Sequence, residues 1–77
     1  MYRLRINTLW DIAADHGDTT RAAIHRRTGI AESSIYRYLS GESQPDLNSA
    51  LRIAEAYDVR VEDFMQRTDA DAESVPA

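Results

Sequence analysis

The sequence predicts a small all-α domain, a compact bundle of about five short helices. Three observations point there. Apolar residues recur at i, i+3, i+4 and i+7 in successive short segments. Glycines stand where such segments stop, at 29 and 41. The chain has 77 residues, enough for one domain that buries roughly 60% of its unfolded surface.

The first stripe is Ile6, Leu9, Trp10 and Ala13, one face of a helix over roughly 7–16. Asn7 or Thr8 can cap it, Asp11 stands in its first turn, and His16-Gly17-Asp18 ends it. Before it, Tyr2, Leu4 and Ile6 alternate like a short strand. Thr19 or Thr20 caps the second helix, RAAIHRRT, whose Ala22, Ala23 and Ile24 form a small packing surface. Gly29 stops it by accepting a left-handed backbone.

A third helix begins near Ala31 and ends at Gly41. At 100° per residue, Ile35, Tyr38 and Leu39 face inward, and Ser33, Tyr36, Arg37 and Ser40 face the opposite way. Pro45 and Asp46 open a fourth helix over about 47–57. Its Leu47, Ala50, Leu51, Ile53, Ala54 and Tyr57 cover an arc of roughly 160°, the width expected of a central core helix. A last short helix, VEDFM, offers Val61, Phe64 and Met65. The expected domain is 1–67, followed by an acidic, disordered tail at 68–77.

Composition narrows function. Hydrophobic residues are 43% and charged residues 29% of the chain, an ordinary globular profile. With no cysteine there is neither a disulfide framework nor a thiolate metal site. No apolar run is long enough for a membrane span or a signal peptide, so a cytoplasmic protein is expected. The net charge of −4 is uneven: residues 1–45 hold six Arg against five Asp and Glu, and residues 46–77 three Arg against eight. Net charge therefore does not exclude nucleic-acid binding by the front half. All nine basic residues are Arg. No glycine-rich phosphate loop and no nucleophile with base and orienting acid is present, so neither enzyme activity nor a cofactor is expected.

Two short helices around a glycine turn, the second with a polar face, form a helix-turn-helix arrangement. Thr20, Ile24, Thr28-Gly29-Ile30, Ile35, Arg37, Leu39, Ser40-Gly41, Pro45, Leu47, Ile53-Ala54, Val59 and Phe64 stand in the order seen in one family. On these residues the chain resembles the Cro/phage-repressor-like (XRE) helix-turn-helix family, over roughly residues 2–66. The resemblance implies a lambda-repressor-like fold and a transcriptional regulator, repressor-like, acting as a homodimer on an inverted repeat in double-stranded DNA. It makes residues 31–40 the recognition helix in the major groove. Glu32, Ser33, Tyr36 and Arg37 become candidate base readers, and Arg21, Ser34, Ser43 and Gln44 candidate phosphate contacts.

Arg37 can donate two parallel hydrogen bonds to guanine O6 and N7. Tyr36 could pack on a thymine methyl or bond a phosphate. Glu32 could accept from cytosine N4 or simply suit the positive helix end. Two departures from the family stand out. Ala31 replaces the usual Ser or Thr cap of the recognition helix, so that Ser33 or Ser34 could cap instead. Arg21 replaces a common glutamine that contacts the recognition helix.

Other residues have plainer readings. Arg26 and Arg27 fit a solvated helix face or phosphate contacts. Trp10 fits the core or an exposed interaction site. His16 and His25, nine residues apart, fit surface or helix-end positions better than a metal site. Leu51, Phe64 and Met65 could form a dimer seam or complete the core. A second function class keeps the same fold as a protein-interaction module, an antirepressor or toxin-neutralising partner that uses the acidic half.

Overall fold

A computed structural model describes residues 2–67. In chain order the elements are β1 (Tyr2–Leu4), α1 (Ile6–Asp15), α2 (Arg21–Thr28), α3 (Glu32–Ser40), α4 (Leu47–Tyr57), α5 (Val61–Phe64) and β2 (Met65–Arg67). The five helices bear out the predicted class, with one addition. The two ends of the fold pair as an antiparallel ribbon, in register Tyr2↔Arg67, Arg3↔Gln66 and Leu4↔Met65. The tail at 68–77, expected to be disordered, and its boundary with the domain lie outside the described residues.

The ribbon sets how α1 begins. Arg5 N–H donates to the Phe64 carbonyl at 2.8 Å, and the helix opens from Arg5 without a side-chain cap. Asn7 and Thr8 therefore lie inside the helix rather than capping it, because backbone pairing has already fixed the entry of the chain. Leu9 and Ala13 are buried, with Ile6, Trp10 and Ile12 packed beside them. At the other end Gly17 takes φ 83°, which glycine adopts without steric cost.

Thr20 caps α2, its hydroxyl accepting from Ala23 N–H at 3.1 Å. Asp46 caps α4 in the same way, accepting from Ser49 N–H at 2.8 Å. That bond is the main cause holding its carboxyl below the usual carboxylate range. The fully enclosed side chains are Tyr57, Phe64, Leu9, Ile24, Ile35 and Ile53. They draw α1 to α5 around one core, at about 1.5–3 kcal/mol for each large apolar side chain removed from water.

The wide apolar arc on α4 is not closed all round. Ala50, Ile53, Ala54 and Tyr57 are buried, whereas Leu47 and Leu51 are 72% and 49% exposed. One turn apart, these two leucines share a face that the described residues leave largely open.

A charged cluster ties the bundle together. Asp18, in the turn after α1, accepts from the Tyr57 hydroxyl on α4 at 2.8 Å and from Arg27 Nε on α2. Arg27 Nη2 also donates to the His16 carbonyl at 3.3 Å, and its guanidinium lies 5.4 Å from the Tyr57 ring centroid. His16 meets the same ring edge-on at 5.1 Å. The hydrogen bond from Arg27 holds the Asp18 carboxyl below its ordinary range, with help from Tyr57 and against the opposing push of burial. Burial, then the Asp18 bond, pushes the Tyr57 hydroxyl well above a phenol's usual value, so it remains a donor. Arg27, weighed between solvated face and phosphate contact, is occupied inside the fold.

Candidate nucleic-acid interface

The turn between α2 and α3 is fastened from several sides. Gly29 takes φ 75° and its N–H donates to the His25 carbonyl at 2.9 Å. The Thr28 hydroxyl donates to the Ile24 carbonyl at 2.8 Å and accepts from Ile30 N–H at 3.2 Å. His25 Nδ1–H donates to the Ile30 carbonyl. These bonds satisfy backbone groups that a tight turn would otherwise leave unpaired, and they fix the angle at which α3 leaves α2. No group of three residues able to hold a metal ion exists among those described.

α3 starts at Glu32 with Ala31 as its cap residue and no side-chain cap bond. Neither Ser33 nor Ser34 takes over the cap. Instead the Ala31 carbonyl accepts from Ser34 and Ile35 N–H, both at 3.0 Å. The back of α3 is anchored by Ile35, 1% exposed, and by the Tyr38 hydroxyl, 3.2 Å from Ser49 Oγ on α4. Gly41 ends the helix at φ 84°, and Glu42 N–H donates to the Arg37 carbonyl at 2.9 Å. That bond between the residue after the αL position and the residue three before the last of the helix is the Schellman closure.

With its back held, α3 presents its polar side outward. Glu32, Ser33, Tyr36 and Arg37 are exposed and line one depression of about 540 Å³ together with Arg21 and Glu42. Arg21 reaches it across the helix crossing: its guanidinium lies 4.5 Å from the Tyr36 ring centroid. The link that the family makes through glutamine is made here by a cation on an aromatic ring. Glu42 was not among the sequence candidates, since it reads as an ordinary loop acid until α3 is placed. Ser40, also outward, spends its hydroxyl on the Arg37 carbonyl of its own helix at 3.2 Å.

The remaining candidates sit elsewhere. Ser34 and Ser43 are half-buried and stand outside the depression. Gln44 has a structural task, its Oε1 accepting from Leu4 N–H at 2.7 Å, which ties the loop after α3 to β1. Trp10 is half-buried against the core and borders a second hollow with Thr20, Arg21, Tyr36, Leu39 and Ser40. Of the three seam-or-core residues, Phe64 is fully enclosed and Met65 is 8% exposed. Both complete the core of the single chain and leave little surface for a partner. Leu51 alone of the three is exposed.

Electrostatically the outward face is open to a ligand. Arg52 is directed to the Gly29 carbonyl at 3.5 Å and Arg60 to Asp63 at 3.7 Å. Arg37 has no side-chain hydrogen bond or ion pair among the described residues, and Arg21 has only its stack. Donors that are exposed and unspent can meet acceptors on base edges or phosphates. No helix among the described residues is long and apolar enough to cross a membrane.

Comparison with curated proteins and with solved structures found no match. A family model described as the Cro/C1-type HTH DNA-binding domain matches residues 8–70. That range runs from within α1 to past β2, including both helices of the fastened turn and the face just described. The chain belongs to the Cro/C1-type helix-turn-helix DNA-binding family.

Proposed function

We propose that the protein is a repressor-like transcriptional regulator whose α3 reads base edges in the major groove. The observation that carries this is the α3 face: Glu32, Ser33, Tyr36 and Arg37 gathered on one exposed side, over a back locked by Ile35 and Tyr38. Arg37, with its donors unspent, contacts guanine. Ser34, Ser43 and the start of α2 approach the phosphates flanking the groove. Repression follows from occupying a promoter.

The protein acts as a homodimer on an inverted repeat, with half-sites about one helical turn apart. An apolar groove supports this. Tyr2, Pro45, Leu47, Ala50, Val61 and Met65, with the charged Asp46, Glu62 and Arg67, line a mostly apolar hollow of about 560 Å³ that shares no residue with the α3 face. Tyr2 and Leu47 are 59% and 72% exposed there, the kind of patch that marks an interaction surface. The seam therefore draws on Tyr2 and Leu47, with Leu51 exposed one turn further along α4; Met65 lines the hollow at 8% exposed, and Phe64 has no part in it.

Selection from randomised duplexes, run with the intact protein and with Arg37→Ala, tests the reading. An enriched two-fold-symmetric motif that loses one guanine preference in the variant supports it. No enrichment from the intact protein would discard base reading in favour of a protein-interaction module. In that case the same groove would be where to look for the partner.

A further inference from the structure

The position of the Arg21 side chain differs from what a backbone charge at a helix start requires. The positive helix end there favours a phosphate, and a cation pointed at that phosphate would add to the attraction. Instead the guanidinium leaves the start of α2 and lies 4.5 Å from the Tyr36 ring centroid. Tyr36 stands on the outward side of α3 between Ser33 and Arg37, and Arg21 lines the same depression as these three. The charge has thus been carried from the flank onto the face that enters the groove.

We propose that Arg21 reads a guanine in the major groove and that Tyr36 positions it. The proposal rests on the reading of α3 as the base-reading helix. A guanidinium held over a ring keeps its planar fork of N–H groups unspent. Such a fork can make a bidentate contact to guanine O6 and N7. Stacking also restricts the rotamers of a long side chain before DNA arrives, so less freedom is lost on binding. Tyr36 contributes its ring rather than its hydroxyl, for which no hydrogen bond exists among the described residues. Arg37, one residue further along α3, is the second guanidinium of the face. Each half-site then carries two guanine preferences, one for each arginine.

The test is duplex selection with the intact protein, Arg21→Lys, Tyr36→Leu and Tyr36→Phe, with thermal melts to confirm that each variant is folded. Lysine keeps the charge but loses the planar fork, leucine removes the ring, and phenylalanine keeps it. Arg21→Lys and Tyr36→Leu are expected to lose guanine preference at the same position, by about 5- to 100-fold. That position differs from the one relaxed by Arg37→Ala, and Tyr36→Phe, which keeps the ring, retains the guanine preference at the Arg21 position. An unchanged motif from Arg21→Lys would overturn the proposal and leave Arg21 as a phosphate charge. Different positions relaxed by Arg21→Lys and Tyr36→Leu would overturn the positioning role of Tyr36. If the intact protein enriches nothing, base reading by α3 fails and this assignment falls with it.

Discussion

Replacing Asp18 with alanine removes an acceptor on which the turn after α1, α2 and α4 converge. Two losses follow, and they differ in size. The Tyr57 hydroxyl, on a residue 1% exposed, is left without its acceptor, and an orphaned buried donor costs about 1–3 kcal/mol. The Arg27 side chain is 36% exposed, so water replaces most of what the carboxylate supplied. Its share falls in the range of exposed pairs, about 0–1 kcal/mol. Together Asp18→Ala is expected to cost about 1–4 kcal/mol, read as a fall in Tm of about 4–8 °C for each kcal/mol in a domain of this size.

The natural assay is thermal and urea unfolding of Asp18→Ala, Tyr57→Phe and the double variant. Tyr57→Phe removes the orphan, so the double variant should be less destabilised than the sum of the singles. Acid titration gives an independent reading. The folded-state Asp18 carboxyl titrates below its ordinary value of 3.8, so between those two points the unfolded chain binds more protons. Stability is therefore present above that range and lost as pH falls through it. Asp18→Ala should show a shallower acid loss, with what remains partly due to Asp46, whose carboxyl is also lowered. Additive single effects, or a Tm for Asp18→Ala within about 2 °C of the parent, would refute the convergence of these three residues.

Two further expectations concern surfaces. Ala31→Ser should supply the missing hydroxyl cap of α3 and raise stability by about 1 kcal/mol; an unchanged Tm in a melting experiment would mean that the Ala31 site cannot form the cap bond. Leu47→Asp, at a position 72% exposed, should leave the fold within about 0.5 kcal/mol of the parent. Under the dimer proposal it should give a monomer in sedimentation at concentrations where the parent associates, and an unaltered sedimentation profile would remove the groove from the dimer interface.

What was legible in the sequence was what local chemistry decides. α2 is bounded by a Thr20 cap and a left-handed Gly29, both acting within four residues. α4 starts where Pro45 and Asp46 place it, for the same reason. The outward set on α3 follows from helical period alone, once Ile35 is inward. What escaped was contact between distant positions. β1 pairs with β2 from opposite ends of the fold, over three residues each, and alternation at Tyr2, Leu4 and Ile6 carries no sign of its partner. Asp18, Arg27 and Tyr57 each look ordinary in sequence, and only the packing of α2 and α4 brings them together. Leu47 belongs to the apolar arc of α4 by period, but period counts side chains without saying what covers them. The Arg21–Tyr36 stack lay between two residues already singled out, and it needed the crossing of α2 and α3 to join them.

A chain of net charge −4 that binds DNA needs its cations sorted, because a guanidinium already engaged in the fold is of little use to a phosphate. Arg27 is the case that decides between the two uses. It is exposed enough to be taken for a backbone contact, yet its Nε is bonded to Asp18 and its Nη2 to the His16 carbonyl. Arg27→Gln should therefore lower the melting temperature while leaving the salt dependence of DNA affinity unchanged. Each phosphate neutralised contributes about −0.9 to the slope of log K against log salt. A phosphate contact by Arg27 in both copies of a dimer would make the variant's slope shallower by nearly two. Measured below the melting transition across a salt series, an equal slope keeps Arg27 inside the fold. A shallower one would show that the Asp18 pairing opens on DNA, and the stability assigned to it would have to be smaller than the contact that replaces it.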